Sequence, residues 1–194
     1  VRNDDSYSPG GESGLRPDRA TNAYVQRCKE ANKRLGVRTP VVAGGVEASL
    51  RRLAHYDYWS DTVRPSILAS SKADLVVFGM GEAPILAIAK RLAAGEDIKA
   101  LRDLRSVAWL AGKKDARPDG VTLPSFEDIK ASKRDFARAT LLTHTELNCP
   151  EGRTLIQPHG DRAVVQNPPL PPLSEAEMDR IYDLPFARRA HPSY

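Results

Sequence analysis

Cysteine is scarce: only Cys28 and Cys149 occur in 194 residues. They stand far apart, which argues against a disulfide-built secreted scaffold and for two free thiols in a reducing cytoplasm. Long apolar runs are missing too, since none approaches the ~20 residues needed to cross a bilayer; no membrane association is expected. Residues 1–18 are polar and rich in Gly and Pro, without the basic head and apolar middle of a secretory signal. The chain opens on Val1 with no initiator Met, so its natural start is expected upstream. Charge of one sign is not gathered anywhere. The 29 Lys and Arg are scattered among 25 acids, giving a net charge of +4. With aromatics at 6% and no aromatic–basic cluster, a solvated surface is favoured over a nucleic-acid interface.

Short catalytic signatures are absent as well. Neither GxGxxG nor GxxxxGK[ST] occurs, so nucleotide binding through those phosphate loops is not expected. No GxSxG elbow is present. The four histidines, His55, His144, His159 and His191, include no pair at helical i,i+3 or i,i+4 spacing and no His-Glu-x-x-His unit. No metal site is therefore expected.

What remains is the pattern of a soluble α/β chain, long enough for one core and a small second one. Residues 16–35 have helical spacing, with Val25, Cys28, Ala31 and Leu35 predicted on the buried face and Gly36 ending the run. Residues 40–43 form a short β-branched run that closes in Gly44-Gly45. DLVVF at 74–78 reads as a buried strand feeding Gly79-Met80-Gly81-Glu82. Pro84 then opens a helix predicted to bury Ile85, Ile88, Ala89 and Leu92, with Gly95 past its end. A third strand at 106–111 gives β-α-β-α-β order, hence an α/β fold with a partial Rossmann-like parallel sheet. Three strands are few for such a sheet, and the others are expected upstream of Val1.

Beyond residue 112 the composition shifts. The spacing predicts a linker at 113–122, a mainly helical stretch over 126–147, and a hairpin from 153–157 and 162–166 around His159-Gly160-Asp161. An extended NPPLPPL segment follows at 167–173, and then a short helix started by a Ser174/Glu177 capping box. The domain reading is a flexible lead-in over 1–15, an α/β domain over 16–112, the linker, and a small α+β connector over 123–194.

The densest chemical constellation is GGVEASLRRLAHYDYWSD at 44–61. It carries Gly44, Gly45, Glu47, Ser49, Arg51, Arg52, His55, Tyr56, Asp57 and Asp61 behind a strand end. In open α/β sheets, ligands bind beyond the carboxyl ends of strands, which would set these residues beside Gly79, Gly81 and Glu82. A secondary candidate is the polar turn His159, Asp161, Arg162, for which a plain hairpin turn is the simpler reading.

Taken in order and spacing, RPDRA at 16–20, GGVEASLRRLAHYDYWSD at 44–61 and DLVVFGMGE at 74–82 resemble the YgiQ-type radical S-adenosylmethionine (radical SAM) proteins. LPSFEDIK, QPHGDR, NPPLPPLSEAEMD and LPFARRAHPSY resemble the segment that joins that family's N-terminal domain to its barrel. More distantly, the two glycine loops are similar to the cobalamin-binding domain that precedes many radical SAM barrels. The chain lacks the Asp-x-His-x-x-Gly cobalt-ligand motif, so cobalamin stays open. The resemblance implies a 4Fe-4S cluster and S-adenosylmethionine in the full-length protein, bound through CxxxCxxC after the HPSY-like end. It implies an accessory, non-catalytic role for this segment, with the barrel of the same polypeptide as partner and an unknown substrate. Two alternatives stand beside this: a non-catalytic docking module, RNA being one candidate partner, and a partial gene product with an open sheet edge.

Overall fold

The structure, a computed structural model, describes residues 9–15, 17–148, 151–190 and 192. Cys149 and His191 lie outside the described residues. The chain divides into two compact units: Thr21–Leu170, and Val1–Ala20 with Pro171–Tyr194.

The larger unit is built on a six-stranded sheet. Its strands are β1 (Val42–Ala43), β4 (Leu75–Val77), β5 (Val107–Ala111), β6 (Val121–Thr122), β7 (Leu155–His159) and β8 (Arg162–Gln166). The order is β1-β4-β5-β8-β7-β6. A separate hairpin pairs β2 (His55–Asp57) with β3 (Thr62–Arg64). The helices are α1 (Ala20–Leu35), α2 (Gly45–Leu50), α3 (Ile67–Ser71), α4 (Glu82–Ala93), α5 (Phe126–Ala131), α6 (Lys133–Leu147) and, in the smaller unit, α7 (Glu175–Tyr182).

The sheet is mixed, which corrects the parallel expectation. Only β1–β4 and β6–β7 are parallel; β4–β5, β5–β8 and β8–β7 are antiparallel. The reason lies in the hairpin predicted for the connector. Its strand β8 pairs along β5 from Ala108↔Gln166 to Ala111↔Ala163, so the hairpin extends the main sheet rather than forming a separate appendage. β5 runs antiparallel to β4 although α4 lies between them in the chain.

Alternation along the strands supplies two cores. Val76, Ala108, Leu155 and Val164 join Val25, Ala48, Ile67 and Leu68 on one face. Leu75, Val77, Val107, Trp109 and Val165 join Ile88 and Leu101 on the other. All three residues of β4 are buried, as a strand covered on both faces requires.

Two helix faces differ from those predicted. On α1 only Val25 is buried, while Cys28 is exposed and Leu35 is 74% exposed. The helix is anchored by Lys29 Nζ to Asp74 at 2.5 Å and by Asn32 Nδ2 to the Thr39 carbonyl at 2.6 Å. These polar ties turn Cys28 outward. On α4 the buried positions are Pro84 and Ile88, with Leu92 packed against them, and Ile85 and Leu86 face out. The predicted helix over 126–147 is two helices, because Ser132 is extended (φ −136°) and caps α6 through Asp135 N. Ser125 and Asp128 form a capping box on α5, and Ser174 with Glu177 forms the predicted one on α7.

Gly120 has a steric requirement. A Cβ there would stand 2.3 Å from the Thr154 carbonyl oxygen, which accepts the Val121 N–H at 2.8 Å. Gly120→Ala must push β6 off β7 and is expected to cost about 1–3 kcal/mol, as overpacking does. Urea denaturation of the two proteins checks this, and an unchanged midpoint would contradict the close approach.

Candidate functional site

The two glycine loops meet as predicted at the carboxyl ends of the parallel pair β1 and β4. Together they border a groove of about 430 Å³ lined by Gly44, Gly45, Gly79, Gly81, Glu82 and Ile85, with strand residues beneath. Gly45 (φ +81°) and Gly79 (φ +72°) occupy the left-handed region, where L side chains are strained. Gly44 and Gly81 cap α2 and α4 without side-chain hydrogen bonds, so backbone forms much of the wall. Among the described residues Glu82 is the only charged side chain lining the groove, and it sits in the first turn of α4, where its carboxylate complements the helix dipole. A phosphate would meet that carboxylate, so the groove suits an uncharged or cationic body. The segments that form it carry exposed apolar side chains: Ile85 in the lining, and Val46, Met80 and Leu86 next to lining residues in sequence.

The rest of the 44–61 constellation does not line this groove. Glu47 and Arg51 pair with each other at 2.8 Å, and the second carboxylate oxygen of Glu47 accepts the Thr21 N–H at 2.8 Å. The pair fastens α2 to the start of α1. Ser49 supplies its carbonyl to Arg52. Arg52 turns inward over the Phe78 ring, 4.7 Å from its centroid, and donates from Nε to Gln166 Oε1 at 2.6 Å.

His55, Tyr56, Asp57 and Asp61 belong to the β2–β3 hairpin. Tyr56 donates to Asp61 at 2.6 Å. Asp57 is buried, accepts from Ser60 at 2.7 Å, and lies 3.6 Å from Arg64. Tyr58 and Trp59 stack on each other at the exposed tip.

A polar seam was not anticipated. Leu155, Gln157 and His159 on β7, and Val164 and Gln166 on β8, share one face by strand alternation. Gln157 accepts the Ala54 N–H at 2.8 Å and donates to the Pro124 carbonyl at 3.4 Å, and Gln166 takes Arg52. His159 stacks on Phe126 with ring centroids 5.5 Å apart. The period-two sequence of buried Gln and His in LIQPH and AVVQ was the available signal, hidden because such residues read as surface. Of the secondary candidate, Asp161 and Arg162 are exposed, and Gly160 (φ +60°) makes the two-residue hairpin turn.

His159 is held neutral. Its Nε2 accepts the Ser66 N–H at 3.2 Å while Nδ1 lies 3.1 Å from the Gln157 carbonyl, which makes Nδ1 the protonated nitrogen. Burial pushes the imidazole below its ordinary value, and His55 shifts the same way for the same first cause. The unfolded chain takes up protons near pH 6.5, and the folded chain only at lower pH. The stability these groups contribute is complete above that value and is lost as pH falls through the folded values. Denaturant midpoints measured from about pH 7.5 down to 5 should decline, and His159→Gln should flatten the decline. A flat profile for the unsubstituted protein would contradict the neutral assignment.

With the groove and its frame described, the comparisons with known proteins define the class. The family model for the radical SAM N-terminal domain matches residues 1–194, and the chain belongs to that family. Among curated relatives it is 50% identical over 195 residues to a UPF0313 protein of Geobacter sulfurreducens and 47% identical over 193 residues to one of Clostridium botulinum. A UPF0313 protein of Rhodopseudomonas palustris is 47% identical over 214 residues. Each match takes in the whole of this chain but only 29–32% of the relative, so the chain spans about a third of their length. The YgiQ-type assignment rests on these matches. No solved structure gives a significant match.

The 4Fe-4S cluster that this family implies is not a fit for these residues. Radical SAM chemistry needs three clustered thiolates, and the chain has two cysteines in all. No group of three or more His, Cys, Asp or Glu suited to a metal occurs among the described residues. None of their helices is long and apolar enough to cross a membrane.

Proposed function

We propose that this chain is an accessory domain of a cytoplasmic radical SAM enzyme, inactive by itself, whose glycine-loop groove forms one wall of the pocket for an unidentified substrate. The other wall is supplied by the barrel of the same polypeptide, which carries the cluster and S-adenosylmethionine. The observation that carries this reading is the groove itself: two glycine loops at the ends of parallel β1 and β4, with exposed Val46, Met80, Ile85 and Leu86 on the segments that form it. Exposed apolar side chains of this kind on a chain matching a third of its relatives suit cover by the remaining two thirds. We take the parallel pair with its two loops as a portion of a Rossmann-like, cobalamin-binding arrangement, a reading supported by the parallel β1–β4 pairing. The antiparallel strands beyond it depart from that arrangement, and the reading does not depend on cobalamin.

The test uses the full-length protein with its cluster reconstituted anaerobically. Gly81→Leu places a side chain in the groove, where a Cβ would already lie 3.4 Å from Val77 Cγ1. It should leave cluster absorbance and the slow uncoupled cleavage of S-adenosylmethionine intact. Cleavage stimulated by a small-molecule cell extract should fall at least about tenfold, the scale expected when a reacting group is misplaced. Equal stimulation of variant and unsubstituted protein would sink the pocket reading.

A further inference from the structure

A second cavity, of 290 Å³, lies away from the glycine groove, between the loop after α2, α6 and the seam. Its polar lining comes from Arg52, Thr140, Thr143, His144 and Gln157, and its apolar lining includes Phe136. Three of these polar groups are already engaged. Both ends of the Gln157 amide are occupied, Thr140 donates to the Phe136 carbonyl, and His144 lies against Asn148.

Arg52 is different. Of its five N–H groups, Nε serves Gln166 and one on Nη1 serves Ser49, while Nη2 bonds to nothing among the described residues. No carboxylate pairs with it there, and no Asp, Glu, Lys or second Arg lines the cavity. The Phe78 ring under the guanidinium offsets part of the cost of holding its charge without a carboxylate, and Nη2 keeps solvent access, with its N–H groups open to an anion. Burial pushes its pKa down to about 10, so it stays charged at neutral pH.

We propose that this cavity binds a small monocarboxylate with an apolar body, its carboxylate on the Arg52 guanidinium and its body against Phe136 and the neighbouring aliphatic side chains. Three features set that class. One cation balances one negative charge, whereas a phosphate dianion would be left half neutralised. The planar guanidinium fork matches a carboxylate. The cavity, at 290 Å³, has room for an aryl or short alkyl body. The proposal is independent of the glycine groove, and either can fail without the other.

The test is calorimetric titration of the full-length protein with benzoate and with its neutral isostere benzamide, each to millimolar concentrations at fixed ionic strength. Benzoate should bind at least tenfold more tightly than benzamide. Thr143→Phe, which fills the cavity and leaves the Arg52 bonds untouched, should abolish benzoate binding; Arg52→Lys, which keeps the charge and loses the fork, should weaken it at least tenfold. Equal affinity for the two probes, no detectable benzoate binding, or benzoate binding unchanged in Thr143→Phe would each overturn the proposal. Melting of Thr143→Phe near the temperature of the unsubstituted protein shows that its loss of binding is not unfolding.

Discussion

Gln157→Leu is expected to destabilise the protein by about 2–6 kcal/mol, since each of two hydrogen-bonding groups left without a partner costs about 1–3 kcal/mol. Gln157 is 1% exposed, and its amide satisfies the Ala54 N–H and the Pro124 carbonyl from two separate segments. Leucine fills nearly the same volume but offers neither a donor nor an acceptor. Gln157→Glu should lose less while its carboxyl is protonated, since the acid then both accepts the Ala54 N–H and donates to the Pro124 carbonyl. Urea midpoints for the three proteins check the order. A leucine variant within about 0.5 kcal/mol of the unsubstituted protein would show that the seam is packing rather than hydrogen bonding.

Leu75→Ala should cost a similar amount, about 2–5 kcal/mol, because Leu75 is 1% exposed in the interior strand β4 and its removal leaves a cavity on the α4 face. Leu86→Ala, on the outward side of α4 at 54% exposure, should change the stability of the 194-residue chain by less than about 0.5 kcal/mol. The contrast has a functional edge. If the groove is covered by the rest of the polypeptide, Leu86→Ala should destabilise the full-length protein although it is neutral in the shorter chain. Thermal unfolding of both forms measures the difference, and equal neutrality would argue that Leu86 meets water in each.

The elements were legible where period and punctuation agreed. DLVVF and the Gly95 stop bracket β4 and α4 within a residue or two, and the Ser174/Glu177 box marks the start of α7. The meeting of the two glycine loops was legible because both follow strands that turned out to be parallel neighbours. Pairing direction was not legible. The residues of β5 are compatible with either, and the partner that decides its environment, β8, lies about 55 residues downstream.

Helix faces were misread where polar anchors outweigh apolar spacing, as Lys29–Asp74 does on α1. Arg52 and His159 were read as ligand candidates for their chemistry. Hydrogen bonds to residues 114 and 93 positions away, Gln166 and Ser66, fix them in place, and sequence spacing carries no trace of those. The double capping signal of Ser125/Asp128 and Ser132/Asp135 was present in the sequence and would have split the helix over 126–147.

The central claim, that the glycine groove is a wall closed by the rest of the polypeptide, is tested most directly by hydroxyl-radical footprinting of the full-length protein. Met80, Ile85 and Leu86 on the segments that form the groove and Tyr24 and Leu141 away from it are all 44–65% exposed in this chain, so they calibrate one another. The account predicts that Met80, Ile85 and Leu86 are oxidised several-fold more slowly in the native protein than in the denatured one after correction for residue type, while Tyr24 and Leu141 keep the rates of exposed side chains. Oxidation of Met80, Ile85 and Leu86 at the rate of Tyr24 and Leu141 would contradict it.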